Sequence, residues 1–246
     1  MQSKDAFILS LLVTLLVANN FLLFSLLGKG NRETVNVLRV IDGDTLVIEG
    51  DVKVRLANIN SPEKGEKGYD ESKNFLSQLE GSTIEIEQIS TDKYGRTLAR
   101  IYNPEYLNLQ IVKQGLATKF LVEDDEAEKF ARAEELAVHT EEGIWKKSKY
   151  FTCIQADIDP QKEIVSLRSD CGVINIKNWK VIDESRKEYI FGEVSFEELN
   201  LHTSKGSDNG KDFFWQNNAN VWNNDRDTFF LFDDQGYIVH YESYGY

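Results

Sequence analysis

Hydrophobic and polar positions alternate along much of this chain from residue 35 onward. Over the first half, the alternation predicts β-strands at 36–41, 45–49, 53–59, 83–89 and 98–102. A helical spacing of apolar positions predicts helices over 70–79, 107–115 and 126–138. Five short strands with helices between and after them are typical of a small closed barrel of the Greek-key type. We therefore expect a barrel with helices in this part of the chain.

The pattern changes near residue 150, where the helical spacing of apolar positions ends. Short strands separated by polar turns are predicted at 152–157, 163–168, 173–181, 190–191, 198–202, 228–232 and 237–240. Regularly spaced short strands of this kind are typical of a β-sandwich. The fold class expected for the whole chain is therefore mainly β with some α: a barrel followed by a sandwich.

The first thirty residues have a different character. The segment 7–27 is almost wholly apolar and about as long as a helix that crosses a bilayer. A secretory signal peptide is the alternative, although its apolar core is usually shorter, roughly 7–15 residues. Residues 1–30 are thus a signal anchor or a signal peptide. Both interpretations predict an extracytoplasmic protein, either anchored to the membrane by this helix or secreted after cleavage.

The charge of the chain is unusual for a protein that binds nucleic acid. The 246 residues carry a formal net charge of −13. A general polyanion binder would instead need a basic surface, because Lys and Arg neutralise the phosphates. Any attraction to a phosphate backbone must therefore be local.

The two cysteines, Cys153 and Cys171, both lie in the second half, near the ends of its first two predicted strands. An exported chain with an even number of cysteines favours one disulfide. Two separate buried thiols are the alternative. The three histidines are scattered, and no Cys/His cluster has the spacing of a zinc site.

Residues 41–45 (Ile-Asp-Gly-Asp-Thr) and 55–63 (Arg-Leu-Ala-Asn-Ile-Asn-Ser-Pro-Glu) contain the most informative chemistry. Their carboxylate, amide and carbonyl oxygens suit Ca²⁺ or Mg²⁺. Glu63 can activate water, and Arg55 can hold a phosphate in a bidentate grip. A second arginine, Arg96, follows in the hairpin turn 91–96. These are the components of a metal-dependent phosphodiesterase.

The same segments resemble the staphylococcal nuclease (thermonuclease) family. The matching pieces, in the family's order, are 40–45, 55–63, 92–96, 112–117 and 143–145. The resemblance implies an OB-fold barrel over residues 34–149. It also implies a Ca²⁺ site with Asp44 as a direct ligand, Asp42 beside it, and Ser61 giving its backbone carbonyl. Asn60 stands where the best-known members carry aspartate, so its amide oxygen can coordinate the cation but supplies no charge.

The resemblance also suggests roles in catalysis and substrate binding. Glu63 would polarise or deprotonate the attacking water, while Arg55 and Arg96 would hold the scissile phosphate. Lys93 and Tyr94 would contact a terminal nucleotide phosphate. Some members carry tyrosines that stack on a base after the segment 112–117, whereas this chain offers only Phe120.

Residues 151–246 resemble a lamin tail domain. The segments that carry this resemblance are 178–183, 201–206, 221–228 and 232–239. The resemblance implies an immunoglobulin-like sandwich and no particular chemistry, and the partner of this domain is unknown.

The sequence thus predicts an exported or membrane-anchored, Ca²⁺-dependent nuclease. Its expected substrates are DNA and RNA, single-stranded or frayed, cut with low sequence specificity. The alternative is a catalytically weak or inactive nuclease-like binding module, whose lamin-tail-like domain mediates contact with a surface or a partner.

Overall fold

The computed structural model describes residues 12–14, which are helical, and residues 32–246. Most of the predicted apolar helix over 7–27 therefore lies outside the described residues. Among the residues described, none forms a helix both long and apolar enough to span a bilayer. The described chain is mainly β, as the sequence predicts.

Five strands of the first half form a closed barrel in the order β1-β2-β3-β6-β5. The first six strands of the chain are β1 Glu33–Val40, β2 Thr45–Ile48, β3 Val52–Leu56, β4 Ile59–Asn60, β5 Thr83–Thr91 and β6 Thr97–Tyr102. β1 pairs with both β2 and β5, which closes the barrel, and only the β3–β6 pair is parallel. All four residues of β2 are buried, so this apolar strand lies against the barrel core. The prediction of a five-stranded barrel is confirmed.

Three helices and a short ribbon cover the barrel. They are α1 Tyr69–Ser77, α2 Leu107–Lys113, α3 Ala127–Thr140, and the strand β7 Thr118–Lys119, which pairs with β4. α3 buries one face, through Phe130, Ala133, Glu134 and Ala137, at the spacing expected of an amphipathic helix. A 3-10 turn, Gly143–Trp145, ends the barrel region. A Cβ added at Gly115 would lie 2.2 Å from the carbonyl oxygen of Glu142, so this turn packs closely on the end of α2.

The second half forms two four-stranded sheets, β12-β11-β16-β17 and β15-β14-β9-β8. Its strands are β8 Ile154–Asp159, β9 Ile164–Ser169, β10 Ile174–Asn175, β11 Lys180–Ile182, β12 Glu188–Ile190, β13 Ser195–Phe196, β14 Glu198–His202, β15 Asp212–Phe214, β16 Asp227–Phe232 and β17 Ile238–Tyr244. One apolar core takes residues from both sheets, including Leu167, Leu201, Val181 and Phe229. This arrangement is a β-sandwich.

The predicted strand over 173–181 is wrong in its extent. The chain leaves β10 after Asn175 and enters β11 at Lys180. Between them, Asn178 has a φ of 63°, a left-handed conformation that asparagine tolerates but that interrupts a strand. The short strands β13 and β15 were not predicted, because two or three residues show no alternation.

The barrel region (33–145) and the sandwich region (146–246) share a third apolar cluster. The indole of Trp145 lies 5.9 Å from the Phe230 ring and 4.9 Å from the Tyr241 ring, centroid to centroid. Arg226 Nη1 of the sandwich region also donates to the backbone carbonyl of Val122 in the barrel region (2.7 Å). The two regions are therefore packed together.

Cys153 and Cys171 form a disulfide, with their Cα atoms 5.3 Å apart. The bond joins the chain just before β8 to the chain just after β9, and these two strands are antiparallel neighbours. It therefore links the open ends of one hairpin of the sandwich.

Candidate active site

The turn between β1 and β2 places two carboxylates beside the loop that follows β4. The Asp44 backbone N–H donates to Asp42 Oδ1 (3.1 Å), and the Ser61 backbone N–H donates to Asp44 Oδ2 (3.2 Å). A Cβ added at Gly43 would lie 2.0 Å from Ser72 Oγ and 2.8 Å from Ser61 Cβ. Glycine is therefore required here, since any side chain would push the turn away from α1 and from Ser61.

Arg55 lies on β3 and is buried, with 8% of the residue exposed. Its Nη2 atom lies 3.2 Å from Asp44 Oδ2 and donates to Asn60 Oδ1 at 2.9 Å. Its Nη1 atom donates to the backbone carbonyls of Leu56 (3.1 Å) and Ile59 (3.0 Å). Four acceptors thus surround the two terminal nitrogens, so the guanidinium is held in one orientation before any substrate binds.

Asn60 is buried, and both the oxygen and the nitrogen of its side-chain amide form hydrogen bonds. While Oδ1 accepts from Arg55, Nδ2 donates to the backbone carbonyl of Glu184 in the sandwich region (3.1 Å). An aspartate at this position could accept from Arg55 but would have no hydrogen for Glu184 when ionised. The amide therefore suits its surroundings in this chain.

Arg96 reaches the site from the β5–β6 hairpin. Its Nε donates to Asp92 Oδ2 (2.8 Å), and its Nη1 lies 3.5 Å from Thr45 Oγ1. Desolvation opposes ionisation of Asp92, but hydrogen bonds from Arg96 and Tyr94 outweigh it and lower the pKa of Asp92. Because Thr45 Oγ1 also donates to Asp44 Oδ1 (2.8 Å), this hydroxyl connects the two arginine-bearing parts of the site.

Glu63, Lys93 and Tyr94 lie at the open side of the site. Glu63 is exposed, and its backbone N–H donates to Glu66 Oε2 (2.7 Å). Tyr94 is 73% exposed at the hairpin tip, 5.5 Å from the Arg96 guanidinium and 5.0 Å from Lys93 Nζ. The structure therefore brings Asp42, Asp44, Arg55, Asn60 and Ser61 together and connects Arg96 to them through Thr45. Glu63, Lys93 and Tyr94 are exposed to solvent.

Three contributors to the site were missed by the sequence analysis. Thr45 ends the segment 41–45 and had no expected role, and Glu184 belongs to the region for which no chemistry is expected. The Phe120 ring, considered only for base contacts, lies 5.7 Å from the Arg55 guanidinium. The Thr45 hydroxyl, next to Asp44 in sequence, is a signal from which its role could have been predicted. The backbone carbonyl of Glu184 lies more than a hundred residues from Asn60, and no sequence signal marks it.

The donor set fits a hard dication. Its candidate ligands are oxygens: the carboxylates of Asp42 and Asp44, the amide of Asn60 and the carbonyl of Ser61. Burial, and then the nearby charge of Asp44, raise the pKa of Asp42. In the described part of the chain, no group of three or more His, Cys, Asp or Glu residues is placed to hold a metal ion. These oxygen types suit a hard dication, and those of Asp44 and Asn60 already accept hydrogen bonds from Thr45, Ser61 and Arg55.

Comparison with known proteins relates the first half of the chain to a known family. The family model described as "Staphylococcal nuclease homologue" matches residues 53–147, within and just beyond the barrel region. The thermonuclease of Staphylococcus hyicus is 30% identical over 135 residues, which cover 48% of this chain and 79% of that protein. The chain belongs to the staphylococcal nuclease family.

Two other proteins match over somewhat shorter lengths. An "Uncharacterized endonuclease" of Haemophilus influenzae is 38% identical over 111 residues, covering 42% of this chain and 62% of the relative. The chain thus spans less than two thirds of that relative. The "Staphylococcal-like nuclease CAN1" of Arabidopsis thaliana is 32% identical over 101 residues, covering 39% of this chain and 30% of the relative. Each match covers less than half of this chain.

Proposed function

We propose that this chain is a Ca²⁺-dependent nuclease that hydrolyses phosphodiester bonds of DNA and RNA with low sequence specificity. The observation that carries the proposal is the fixed Arg55 guanidinium, bonded between Asp44 and Asn60 and joined through Thr45 to Arg96. Relatives named thermonuclease and endonuclease support the same reaction class.

Arg55 is the residue proposed to bind the scissile phosphate. Its terminal nitrogens already contact four acceptors, so a phosphate oxygen binds Nη2 by replacing the Asp44 carboxylate. The guanidinium, still held by Asn60 and by the carbonyls of Leu56 and Ile59, then stabilises the charge that gathers on the phosphorane oxygens. Arg96, held by Asp92, approaches the same phosphate from the hairpin side.

Glu63 is proposed to accept a proton from the attacking water. It is exposed at the mouth of the site, and its backbone is fixed by Pro62 and by the bond to Glu66. Asp44, Asn60 and Ser61 would hold Ca²⁺, with Asp42 beside them; the cation supplies positive charge next to the phosphate. Lys93 and Tyr94 lie on the exposed hairpin, where a neighbouring phosphate of a single-stranded substrate can reach them.

We also propose a division into a nuclease domain over 34–149 and a sandwich domain over 151–246, the second similar to a lamin tail domain. Export to an oxidising compartment is supported by the Cys153–Cys171 disulfide and by the apolar segment 7–27. That segment would anchor the protein to a membrane or be cleaved.

The experiment is a nuclease assay on denatured DNA with the purified full chain. We expect cleavage at millimolar Ca²⁺ that stops with a chelator. Glu63→Gln is expected to lower kcat by at least ~10²-fold, the usual contribution of a general base. Glu135→Gln, which changes an exposed glutamate on α3, serves as the matched control and should leave kcat unchanged.

The rival proposal is a binding module without effective catalysis. The commitment of both ends of the Asn60 amide to other groups is the observation that favours it. Binding of labelled single-stranded DNA without cleavage at any Ca²⁺ concentration would support the binding module. Cleavage that persists in a chelator would contradict the proposed mechanism.

A further inference from the structure

One turn of the sandwich region contacts two residues that hold site side chains: Asn60, next to Arg55, and Glu66, next to Glu63. This turn, residues 183–187, joins β11 to β12. The backbone carbonyl of Glu184 accepts from the Asn60 amide (3.1 Å), and Arg186 Nη1 donates to Glu66 Oε2 (3.1 Å). Asn60 in turn contacts Arg55, and Glu66 accepts the backbone N–H of Glu63.

We infer that the turn 183–187 is a positioning element of the nuclease site, which fixes Arg55 through Asn60 and Glu63 through Glu66. This inference rests on the proposed function, and it gives the sandwich a role in the reaction. Neither link touches the substrate directly, so Asn60, Glu66 and Arg186 act here by holding other groups.

The turn is rigid enough for this role. Asp183 accepts from the backbone N–H of Lys187 (2.7 Å) and from the hydroxyl of Ser185 (2.7 Å). The backbone N–H of Glu184 donates to Asp227 Oδ1 (3.2 Å). Asp183 and Asp227 are both buried, with 1% and 0% of the residue exposed. A turn held by buried carboxylates presents its carbonyl and its arginine at fixed positions.

The ribbon β4–β7 extends the same contact. Asn60 on β4 pairs with Thr118 on β7, and the next residue, Lys119, is buried with 2% exposed. Lys119 Nζ contacts the carboxylate of Glu134 and lies 3.2 Å from the Tyr241 hydroxyl of the sandwich. The ribbon that carries Asn60 is thus held to the sandwich at two neighbouring points, one on each strand.

The second link starts from a carboxylate with three partners. Glu66 Oε2 accepts hydrogen bonds from Arg186 Nη1 (3.1 Å) and from the Glu63 backbone N–H (2.7 Å). Lys180 Nζ lies 3.7 Å from Glu66 Oε1. Loss of Arg186 would leave Glu66 less tightly held, and the backbone of Glu63 would lose its fixed acceptor. The expected consequence is a less well-aimed Glu63.

The experiment compares Arg186→Ala, Arg186→Lys and Asn60→Asp with the wild-type full chain. Arg168→Ala is the matched control, because Arg168 is an exposed arginine of the same sandwich whose partner, Asp170, also belongs to the sandwich. The first readout is kcat and KM on denatured DNA with Ca²⁺. The second is amide hydrogen exchange at Glu63, which needs no activity.

We expect Arg186→Ala to lower kcat about tenfold with KM within about twofold of wild type, since positioning affects the transition state more than substrate binding. Exchange at the Glu63 amide should become several-fold faster. Arg186→Lys should restore part of the kcat and part of the protection of the Glu63 amide. Arg168→Ala should change neither kcat nor this exchange rate. Asn60→Asp should lower kcat although it adds a charge to the cation site, because the donor to Glu184 is lost.

Unchanged kcat and unchanged Glu63 exchange in Arg186→Ala, together with higher kcat in Asn60→Asp, would overturn the inference. A wild-type protein without nuclease activity would instead refute the proposed function. In that case the exchange measurements still decide whether the turn fixes the Glu63 loop: faster exchange in Arg186→Ala but not in Arg168→Ala supports it, and equal exchange overturns it.

Discussion

Replacing Glu184 by glutamine should change how the stability of this protein depends on pH. Only 1% of Glu184 is exposed, its Oε1 atom has no hydrogen-bond partner among the described residues, and its Oε2 atom accepts from the Tyr246 hydroxyl (2.6 Å). Burial raises the pKa of Glu184 from 4.5 to about 7, against the bond from Tyr246, and Asp227 adds to the rise.

The raised pKa of Glu184 determines whether the stability of the folded protein rises or falls with pH. Because the folded-state pKa lies above the unfolded value, protonated Glu184 contributes stability that is fully present below about pH 4.5. That contribution is lost as the pH rises through about 7. At 1.36 kcal/mol for each pKa unit, the loss is about 3 kcal/mol. Glutamine keeps an acceptor for Tyr246 and carries no charge, so the Glu184→Gln variant should be more stable than wild type at pH 8 and similar at pH 4.5.

The measurement is urea unfolding, followed by tryptophan fluorescence, from pH 4.5 to 8. Glu197→Gln, at an exposed glutamate of the same region, is the control and should run parallel to wild type. Parallel curves for Glu184→Gln and wild type would refute the reasoning, because they would mean that ionised Glu184 is not penalised in the folded protein.

Three further changes test other features of the structure. Lys119→Met should cost about 3–5 kcal/mol of stability in urea unfolding, because Glu134 is left as a buried charge without its lysine; recovery of stability by adding Glu134→Leu would support this cause. Cys153→Ser combined with Cys171→Ser should lower stability by about 3 kcal/mol, the usual value for a loop of this length (sequence separation 18); thermal unfolding with and without reductant would check it. Gly43→Ala should cost about 1–3 kcal/mol and weaken Ca²⁺ binding in calorimetry, since its Cβ would meet the α1 serine hydroxyl at 2.0 Å; unchanged Ca²⁺ affinity would contradict the close-packed turn.

Much of the barrel was predictable because its strands and helices are long enough to show their own spacing. The nine residues of β5 and the fourteen of α3 each repeat their pattern several times. In the sandwich, β13 has two residues and β15 has three, so the local sequence shows no alternation that could predict them. Their pairing depends on contacts across the sandwich core.

The candidate site was predictable only in part, for the same reason. Asp42, Asp44, Arg55 and Ser61 are close in sequence, and their order in a motif suggested that they meet. The partner of Asn60 is the carbonyl of Glu184, which lies 124 residues away. A backbone carbonyl is present in every residue, so no sequence pattern could mark this one. The sequence predicts a role for the amide oxygen of Asn60, whereas the structure shows that the amide nitrogen also donates a hydrogen bond.

The apolar cluster around Trp145 has a consequence for the evolution and engineering of this protein. Trp145 is 1% exposed, and its ring is covered by Phe230 and Tyr241 from the other half of the chain. If recombination transferred residues 33–149 alone to a new gene, Trp145 would lose its cover. Lys119, which is buried here beside Tyr241, would become exposed to water. The two halves are therefore expected to be inherited together, and a shortened enzyme would need polar replacements on this face to remain soluble.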